Sequence, residues 1–231
     1  MNTRYALWDF DGTLARRPGN WGSAIQEAAL SYRIPRSIDW ERVIPLLSHG
    51  LPWHEPTKPH HHLSSPQLWW DHIEQVIAHK FAALDYEEPH RLPLAKLTHE
   101  IYVKVKYWEA MEGALEVLAS VKSAGWTNVL VTNHVPEVGD IVHGLGFGKY
   151  ITTIFCSAAL GVEKQHPDFF STVLASLGPY QDAWVIGDSE EADIVPARVL
   201  GLRTILLGSS SPLANASVTS LSEVPAILIN R

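Results

Sequence analysis

The sequence predicts an α/β protein with a doubly wound parallel sheet, and two observations lead to this fold class. Residues 1–15 and 107–231 alternate short apolar runs of strand length with stretches of helical periodicity. Residues 16–106 instead hold nine of the 12 histidines and many prolines, without a clear series of strands. Strands that alternate with helices indicate a parallel sheet with helices on both faces. We therefore expect a core of residues 1–15 and 107–231, with a mostly helical insert of residues 16–106 after the first strand.

The strands of the core are predicted from their apolar runs. These runs are Tyr5–Phe10, Asn128–Thr132, Ile151–Cys156, Ala183–Gly187 and Thr204–Leu207. Helical spacing begins at Ala114, and a second helix follows Asp168 and stops at Gly178-Pro179. A third helix is predicted over Ile194–Leu200, ending at Gly201.

The insert contains one clear helix start. Ser65-Pro66 precedes apolar residues at helical spacing, and Trp69 and Trp70 are expected to anchor the insert's own core. The preceding stretch Leu51–Ser65 contains three prolines and is predicted to be an extended loop. We expect this insert to close over the core, with hinges near residues 14–18 and 104–108.

Composition excludes several classes of protein. Hydrophobic residues make up 46% of the chain and charged residues 19%, which favours a packed core over disorder. The net charge of -7 argues against a broad nucleic-acid-binding face. No apolar run approaches the ~18 residues of a membrane span. The N-terminal apolar run stops at Asp9, too early for a secretory signal, so no membrane partner is expected.

The single cysteine, Cys156, cannot form an internal disulfide. A reducing compartment is the simplest interpretation, and we expect the protein to be cytoplasmic. Cys156 lies in an apolar strand-like run, so a buried thiol is expected rather than a reactive one.

The first strand leads into the segment Asp9-Phe10-Asp11-Gly12-Thr13-Leu14. On an extended chain the side chains of Asp9 and Asp11 point the same way, about 6.6 Å apart. At the carboxyl end of a central strand they would face the crevice where open parallel sheets bind ligands. Gly12 would permit the sharp turn that follows. These residues alone leave an ordinary Asp-Gly turn as the alternative.

Three further strand or helix boundaries carry polar residues. Thr132-Asn133 could hold phosphate oxygens through a hydroxyl and backbone amides. Lys164, just before a helix start, supplies a point charge, although a solvated surface lysine is the alternative. Asp188 could hold Mg²⁺ or cap a helix. Each signal is weak alone, but the segments occur in order at successive strand ends.

Together these four segments resemble the motifs of the haloacid dehalogenase superfamily. Residues 9–14 are similar to the first motif, Thr132 and Lys164 to the second and third, and Gly187-Asp188 with Asp193 to the fourth. The helical insert between the first two motifs resembles the cap of members with a helical first-type cap. The sequence departs from the family where Gln165-His166 follows the lysine and where Ala192 replaces a frequent asparagine.

The resemblance implies a Mg²⁺-dependent phosphatase that hydrolyses a small phosphorylated metabolite through a phospho-aspartate. Asp9 would be the nucleophile and Asp11 the general acid and base. The implied phosphate-binding residues are Thr132, Asn133 and Lys164. The implied magnesium ligands are Asp9, the backbone carbonyl of Asp11, and Asp188. Asp193 would be either a ligand through water or the partner of Lys164, and the family's strand order would place Asp9 between the Thr132 and Asp188 strands.

Two other functions remain open. A phosphomutase would return the phosphoryl group to a second hydroxyl of a sugar phosphate, and a binding module would keep the site without turnover. Dehalogenation is disfavoured because family members with that chemistry lack the second aspartate.

Several other residues are weaker candidates for the site. His60, His61 and His62 could bind a metal, but no nearby Cys, Asp or Glu set completes a site, so their role stays open. The other candidates, which we expect at the solvated surface, are Arg16, Arg17, His72, His79 and His166.

Overall fold

The sheet of the computed structural model, which describes residues 3–229, has the predicted parallel, doubly wound arrangement. The strands are β1 (Arg4–Trp8), β2 (Ala15–Arg16), β3 (Glu109–Ala110), β4 (Thr127–Thr132), β5 (Ile151–Cys156), β6 (Asp182–Gly187), β7 (Arg203–Leu207) and β8 (Ala216–Val218). Six of them form one sheet in the order β5-β4-β1-β6-β7-β8, and every pairing in it is parallel. Strand β1 thus lies between β4 and β6, the position expected for the strand that precedes Asp9.

Helices cover both faces of this sheet and form the insert. They are α1 (Asn20–Ser31), α2 (Trp40–Val43), α3 (Pro66–Ala83), α4 (Glu88–Tyr102), α5 (Ala114–Ser123), α6 (Val138–Gly144), α7 (Ser157–Leu160), α8 (Pro167–Leu177), α9 (Val195–Val199) and α10 (Val224–Ile229). Within residues 3–229, none of these helices combines the length and apolarity that a bilayer crossing requires.

The helix predicted over Ile194–Leu200 is shorter than expected. A single π-helical turn, Glu190–Ile194, precedes α9, and Ser189 begins it by accepting a hydrogen bond from Ala192 N on its hydroxyl. Asp193 lies inside this turn, where its carboxylate accepts a hydrogen bond from Ser189 N at 3.1 Å. The wider turn therefore belongs to the polar segment that follows β6 rather than to a regular helix.

Strand β1 is buried on both faces, as a central parallel strand must be. Ala6 and Trp8 belong to one apolar cluster, whereas Leu7 packs in a second cluster with Phe169 and Phe170 of α8. The indole of Trp8 donates to Asn128 Oδ1 at 2.9 Å, which ties β1 to β4.

The first strand ends two residues before the predicted end. Asp9 N still donates to Ile186 O at 2.9 Å, but the backbone amides of residues 13, 14 and 15 all donate to Phe10 O. The chain therefore turns tightly around Phe10, and Asp11 lies in a turn instead of on an extended strand. We expected Asp9 and Asp11 to lie on one face of an extended strand, and this expectation was wrong. The turn around Phe10, and not a strand, determines where the Asp11 carboxylate lies.

The insert is helical, as predicted, and packs α3 and α1 against α4. Trp69 and Trp70 are buried there, at 1% and 5% exposure. The stretch Leu51–Ser65 is not fully extended, since it contains the 3₁₀ turns Pro52–His54 and His61–Leu63. The short β2–β3 ladder pairs Ala15 with Ala110 and so holds the two connections between insert and core side by side. The exact division at residues 15/16 and 106/107 stays a prediction.

Candidate active site

Three predicted site residues meet in a buried ion cluster. Lys164 Nζ lies 2.6 Å from Asp9 Oδ1 and 2.5 Å from Asp193 Oδ1. The three residues come from separate elements, namely the end of β1, the loop before α8 and the π-helical turn after β6. The parallel sheet brings these distant segments to one edge because the carboxyl ends of its strands lie together.

The electrostatics of this cluster keep Lys164 charged. Burial by itself would lower the pKa of Lys164, but the carboxylates of Asp193 and Asp9 more than offset that effect and raise it above its ordinary value. A buried ammonium is stable in the fold only when paired and hydrogen-bonded in this way. Lys164 is therefore a fixed cation that contacts Asp9 directly.

The carboxylates at this edge form a donor set that suits a hard cation. One oxygen each of Asp9, Asp188 and Asp193 lie within 4.8 Å of one another. Partial desolvation of the Asp188 carboxyl, which stays exposed on one side, and then the charge of Asp9 raise the pKa of Asp188 to about 6. Oxygen ligands of this kind match the preference of Mg²⁺, so the residues present fit the magnesium that the family resemblance implies.

Asp193 had two roles left open, and its contacts favour one of them. Its Oδ1 accepts from Lys164 Nζ, and its Oδ2 accepts from Ser189 N. Both oxygens thus already have protein partners, which favours Asp193 as the residue that holds Lys164.

Two glycines make the close approach of the carboxylates possible. Gly12 has a left-handed φ of 83°, and a Cβ there would lie 2.2 Å from Asp188 Oδ2. A Cβ on Gly187 would lie 2.1 Å from Asp193 Oδ2. Both carboxylates therefore pack directly on glycine backbone, which no larger residue would allow without displacement.

Asp11 differs from Asp9 in its surroundings. Burial raises the pKa of Asp11 to about 7, and the charges of Asp9 and Asp188 add to the increase. Asp9 instead accepts a hydrogen bond from the Lys164 ammonium. Of these two neighbouring carboxyl groups, Asp9 is therefore paired with a cation, and Asp11 has a pKa above the ordinary value of an aspartate.

Thr132 and Asn133 serve different purposes at the end of β4. Thr132 Oγ1 is fully buried and, among the described residues, has no hydrogen-bond partner. A buried hydroxyl without a hydrogen-bond partner destabilises the fold by ~1–3 kcal/mol, so the position of Thr132 suits a residue that binds a phosphate oxygen.

Asn133 uses its side chain to accept from Lys164 N at 2.7 Å and to donate to Gln165 Oε1 at 3.0 Å. Its predicted phosphate contact is therefore limited to the backbone amide and stays a prediction.

Two residues near Asp11 were not predicted for the site. Arg17 was expected at the surface, yet it is 5% exposed, and its guanidinium lies 5.3 Å from the ring centroids of both Tyr102 and Tyr107. His134 is 3% exposed, and its Nε2 lies 3.9 Å from Asp11 Oδ2. The one sequence signal for His134 is its place directly after Thr132-Asn133.

Of the remaining candidates, three lie at the surface as expected, whereas His166 is half-buried. His72 and His79 are exposed on α3, and Arg16 is exposed at the joint, where it pairs with Glu109. His166 begins α8, because its Nδ1 accepts from Asp168 N at 3.1 Å. In the part of the chain that is described, no histidine belongs to a group of three ligand atoms close enough to hold a metal ion.

A cavity of about 250 Å³ separates the insert from Asp11. Its lining residues come from both parts of the chain: Asp11, Asn20, Trp21, Trp53, Tyr102, Asn133, His134 and Val135. The insert therefore packs over the edge of the sheet that carries the ion cluster.

The profile of the haloacid dehalogenase-like hydrolase family matches residues 3–201. The chain belongs to this family. This hydrolase is 28% identical over 165 residues to haloacid dehalogenase-like hydrolase domain-containing protein 3 of Bos taurus, covering 71% of this chain and 64% of the relative. The matched part thus spans less than two thirds of that relative's length.

Two further comparisons place this haloacid dehalogenase-like hydrolase among its relatives. It is 24% identical to the phosphoglycolate phosphatase of Pectobacterium atrosepticum, over 87% of this chain and 79% of the relative. Among solved structures, it is similar to the magnesium-bound putative HAD-hydrolase YfnB of Bacillus subtilis, with a TM-score of 0.73, 19% identity and 99% coverage of both chains. The structural similarity confirms the predicted fold, and the family match confirms the predicted resemblance.

Proposed function

We propose that this hydrolase removes the phosphoryl group from a small phosphate monoester by way of a phospho-Asp9 intermediate, with Mg²⁺ as cofactor. The observation that carries the proposal is the Lys164 ammonium held 2.6 Å from Asp9 and paired on its other side with Asp193. A carboxylate that attacks a phosphate dianion meets charge repulsion, and a buried cation beside it offsets that repulsion.

The first step forms a bond between an Asp9 carboxylate oxygen and phosphorus and breaks the ester bond to the leaving oxygen. Asp11 donates its proton to that oxygen, so the alcohol departs neutral. The pKa of Asp11, raised to about 7, fits a group that enters the reaction protonated. Lys164 and the Thr132 hydroxyl bind the oxygens of the transferring phosphoryl group.

The second step hydrolyses the acyl phosphate. Asp11 takes a proton from water as the water oxygen bonds to phosphorus, and the bond between phosphorus and Asp9 breaks. Inorganic phosphate leaves, and both carboxyl groups return to their initial states. Asp193 keeps Lys164 in place throughout, because each of its oxygens is already bonded within the protein.

Asp9, Asp188 and the backbone carbonyl of Asp11 would hold the magnesium ion. When bound, the ion neutralises negative charge on the phosphoryl oxygens. The similar structure from Bacillus subtilis is described as bound to magnesium, which supports this part of the proposal.

The presence of Asp11 favours hydrolysis of a phosphate ester over dehalogenation. An alcohol leaving group needs a proton, and Asp11 lies beside Asp9 to supply one, whereas a halide leaves without protonation. The net charge of -7 favours a small metabolite over a nucleic acid as the substrate. The single, buried Cys156 fits a reducing, cytoplasmic location, which is part of the proposal.

The decisive experiment is a phosphate-ester panel assayed with Mg²⁺ and with EDTA. It should cover sugar phosphates, nucleotides, short acid phosphates and 4-nitrophenyl phosphate. We expect Mg²⁺-dependent phosphate release, and a mass increase of one phosphoryl group on Asp9 after acid quenching. Product analysis separates hydrolysis from the phosphomutase reaction, which would yield an isomeric phosphate. Full activity in chelated enzyme, or turnover by Asp9→Asn, would reject the proposal.

A further inference from the structure

The loop before α8, which carries Lys164, is held from two sides. On the side of the core, Asn133 Oδ1 accepts a hydrogen bond from Lys164 N at 2.7 Å. On the side of the insert, His60 Nε2 lies 3.0 Å from Glu163 Oε1. His166 N donates to Glu163 O at 2.9 Å, which closes a turn around Lys164. The backbone of Lys164 is thus fixed between a residue of the core and a residue of the insert.

The insert also contacts the backbone of this loop. His60 N donates to Gly161 O at 2.6 Å, and His61 Nδ1 lies 3.3 Å from Leu160 O. A Cβ on Gly161 would lie 2.6 Å from His61 Cα, so a side chain at that position would push the two parts of the chain away from each other. The insert therefore packs directly on the backbone that leads into Lys164.

Glu163 depends on this contact for its hydrogen bonding. It is 1% exposed, and within residues 3–229 its Oε2 has no hydrogen-bond partner, so the bond to His60 is the one that its side chain makes. A buried carboxylate without a partner is strongly unfavourable. Loss of His60 would therefore favour a conformation of the loop in which Glu163 reaches water, and this change would move the next residue, Lys164.

The position of the Lys164 ammonium matters because it lies between Asp9 and Asp193. A displacement of about 1 Å among reacting groups can cost ~10²-fold in rate. We propose that His60 and Glu163 are positioning residues for Lys164: through this pair, the insert fixes the loop that holds the ammonium against Asp9. The inference rests on the proposed function, which gives Lys164 its role beside the nucleophile.

The first measurement follows the position of Lys164 without any turnover. Lys164 is 2% exposed and paired, so acetylation of its amine by sulfo-N-hydroxysuccinimidyl acetate requires the loop to open. His60→Ala should speed this acetylation at least about tenfold, as quantified by mass spectrometry of the peptide that contains Lys164. Lys80, which is 5% exposed in α3, reports on the fold of the insert and should keep its wild-type rate.

Three further variants make the measurement specific. His60→Gln keeps an N–H that can reach Glu163 and should restore the wild-type rate of acetylation. Glu163→Ala removes the buried carboxylate instead of leaving it without a partner, so it replaces His60→Ala if that variant does not fold, and it should expose Lys164 to the same extent. Trp70→Phe removes the hydrogen bond to Glu137, an insert–core contact outside this loop, and should leave Lys164 protected. Equal exposure of Lys164 in Trp70→Phe would overturn the inference, because it would indicate a general loosening of the insert.

The second measurement is turnover, which separates this inference from the proposed function. With Mg²⁺, kcat should fall about 10–100-fold in His60→Ala and Glu163→Ala and recover in His60→Gln. Wild-type acetylation of Lys164 in the first two variants, or an unchanged kcat in a variant with exposed Lys164, would overturn the inference. Faster acetylation in variants of a protein that hydrolyses no phosphate ester would reject the proposed function but leave the positioning of Lys164 standing.

Discussion

His60 of the insert and Glu163 of the core form a buried pair, with Nε2 and Oε1 3.0 Å apart and side-chain exposures of 7% and 1%. The backbone strengthens the contact, since His60 N donates to Gly161 O at 2.6 Å. Glu163 directly precedes Lys164, so the pair ties the insert to the loop that carries the cation of the site. The role of His60, which the sequence left open, is thus a contact between insert and core.

The first prediction concerns this pair. His60→Ala should lower the free energy of unfolding by ~3–5 kcal/mol, because it leaves the Glu163 carboxylate buried without a partner. Urea unfolding of His60→Ala, Glu163→Gln and the double variant measures the coupling between the two side chains. The exposed neighbour variant His62→Ala is the control and should change stability by less than ~0.5 kcal/mol. Additive effects in the double variant would show that the two side chains do not interact.

The same pair bears on the expected closure of the insert. Trp70 Nε1 also donates to Glu137, at 2.9 and 3.0 Å, which makes a second contact between insert and core. Both contacts hold the insert against the core. Hinges near residues 14–18 and 104–108 stay a prediction.

The second prediction concerns the metal. Asp188→Asn removes one carboxylate charge from the group that Asp188 forms with Asp9 and Asp193. The Mg²⁺ concentration for half-maximal activity should rise by at least ~10–100-fold. Changes of that size follow even from replacing a residue that only hydrogen-bonds to a metal ligand. Activity titrated with Mg²⁺ measures this shift. Glu190→Gln, an exposed acid in the next turn, is the control. An unchanged Mg²⁺ requirement in Asp188→Asn would exclude Asp188 as a ligand.

The third prediction concerns Cys156. Burial raises the pKa of the Cys156 thiol to about 12, and Sγ donates to His134 O at 3.1 Å. Native protein at pH 8 should therefore react with Ellman's reagent far more slowly than protein unfolded in urea. The raised pKa also means that this thiol's contribution to stability is complete below pH ~8.5 and is lost as the pH rises toward 12. Reaction of the native thiol at the unfolded rate would contradict its burial.

The fourth prediction separates the two aspartates. Asp9→Asn should stop turnover of every substrate, because it removes the group that bonds to phosphorus. The loss should reach several powers of ten, each worth about 1.4 kcal/mol of barrier. Asp11→Asn should instead slow the first step far more for an alkyl phosphate than for 4-nitrophenyl phosphate, since a nitrophenolate departs without a proton.

Single-turnover release of each leaving group by wild type and Asp11→Asn is the appropriate measurement. Steady-state rates would mix the two steps, because the variant also lacks the base for hydrolysis of the intermediate. An equal loss on both substrates would reject Asp11 as the general acid.

The linear sequence was sufficient for the five strands β1, β4, β5, β6 and β7 of the parallel sheet, and it singled out the candidate site residues. Apolar runs and helical spacing can be read from neighbouring residues alone. Strands such as β1 and β4 are buried on both faces and therefore consist almost entirely of apolar residues, which makes them easy to recognise. Residues 9–14, Thr132, Lys164 and Asp188 each follow a strand or precede a helix, where parallel sheets bind ligands. Position alone was a weak signal, and the four segments became recognisable through their combined resemblance to the family's motifs.

Only the tertiary structure decided how these segments meet. Asp9 and Lys164 are 155 residues apart, and the contact of Lys164 with Asp193 depends on how β1, β6 and the loop before α8 pack together. The sequence predicted Arg17 at the surface, left the role of His60 open and did not single out His134. All three are buried because the insert folds back over the edge of the sheet. The burial of a polar side chain depends on residues that are far away in the chain, and local periodicity contains no information about them.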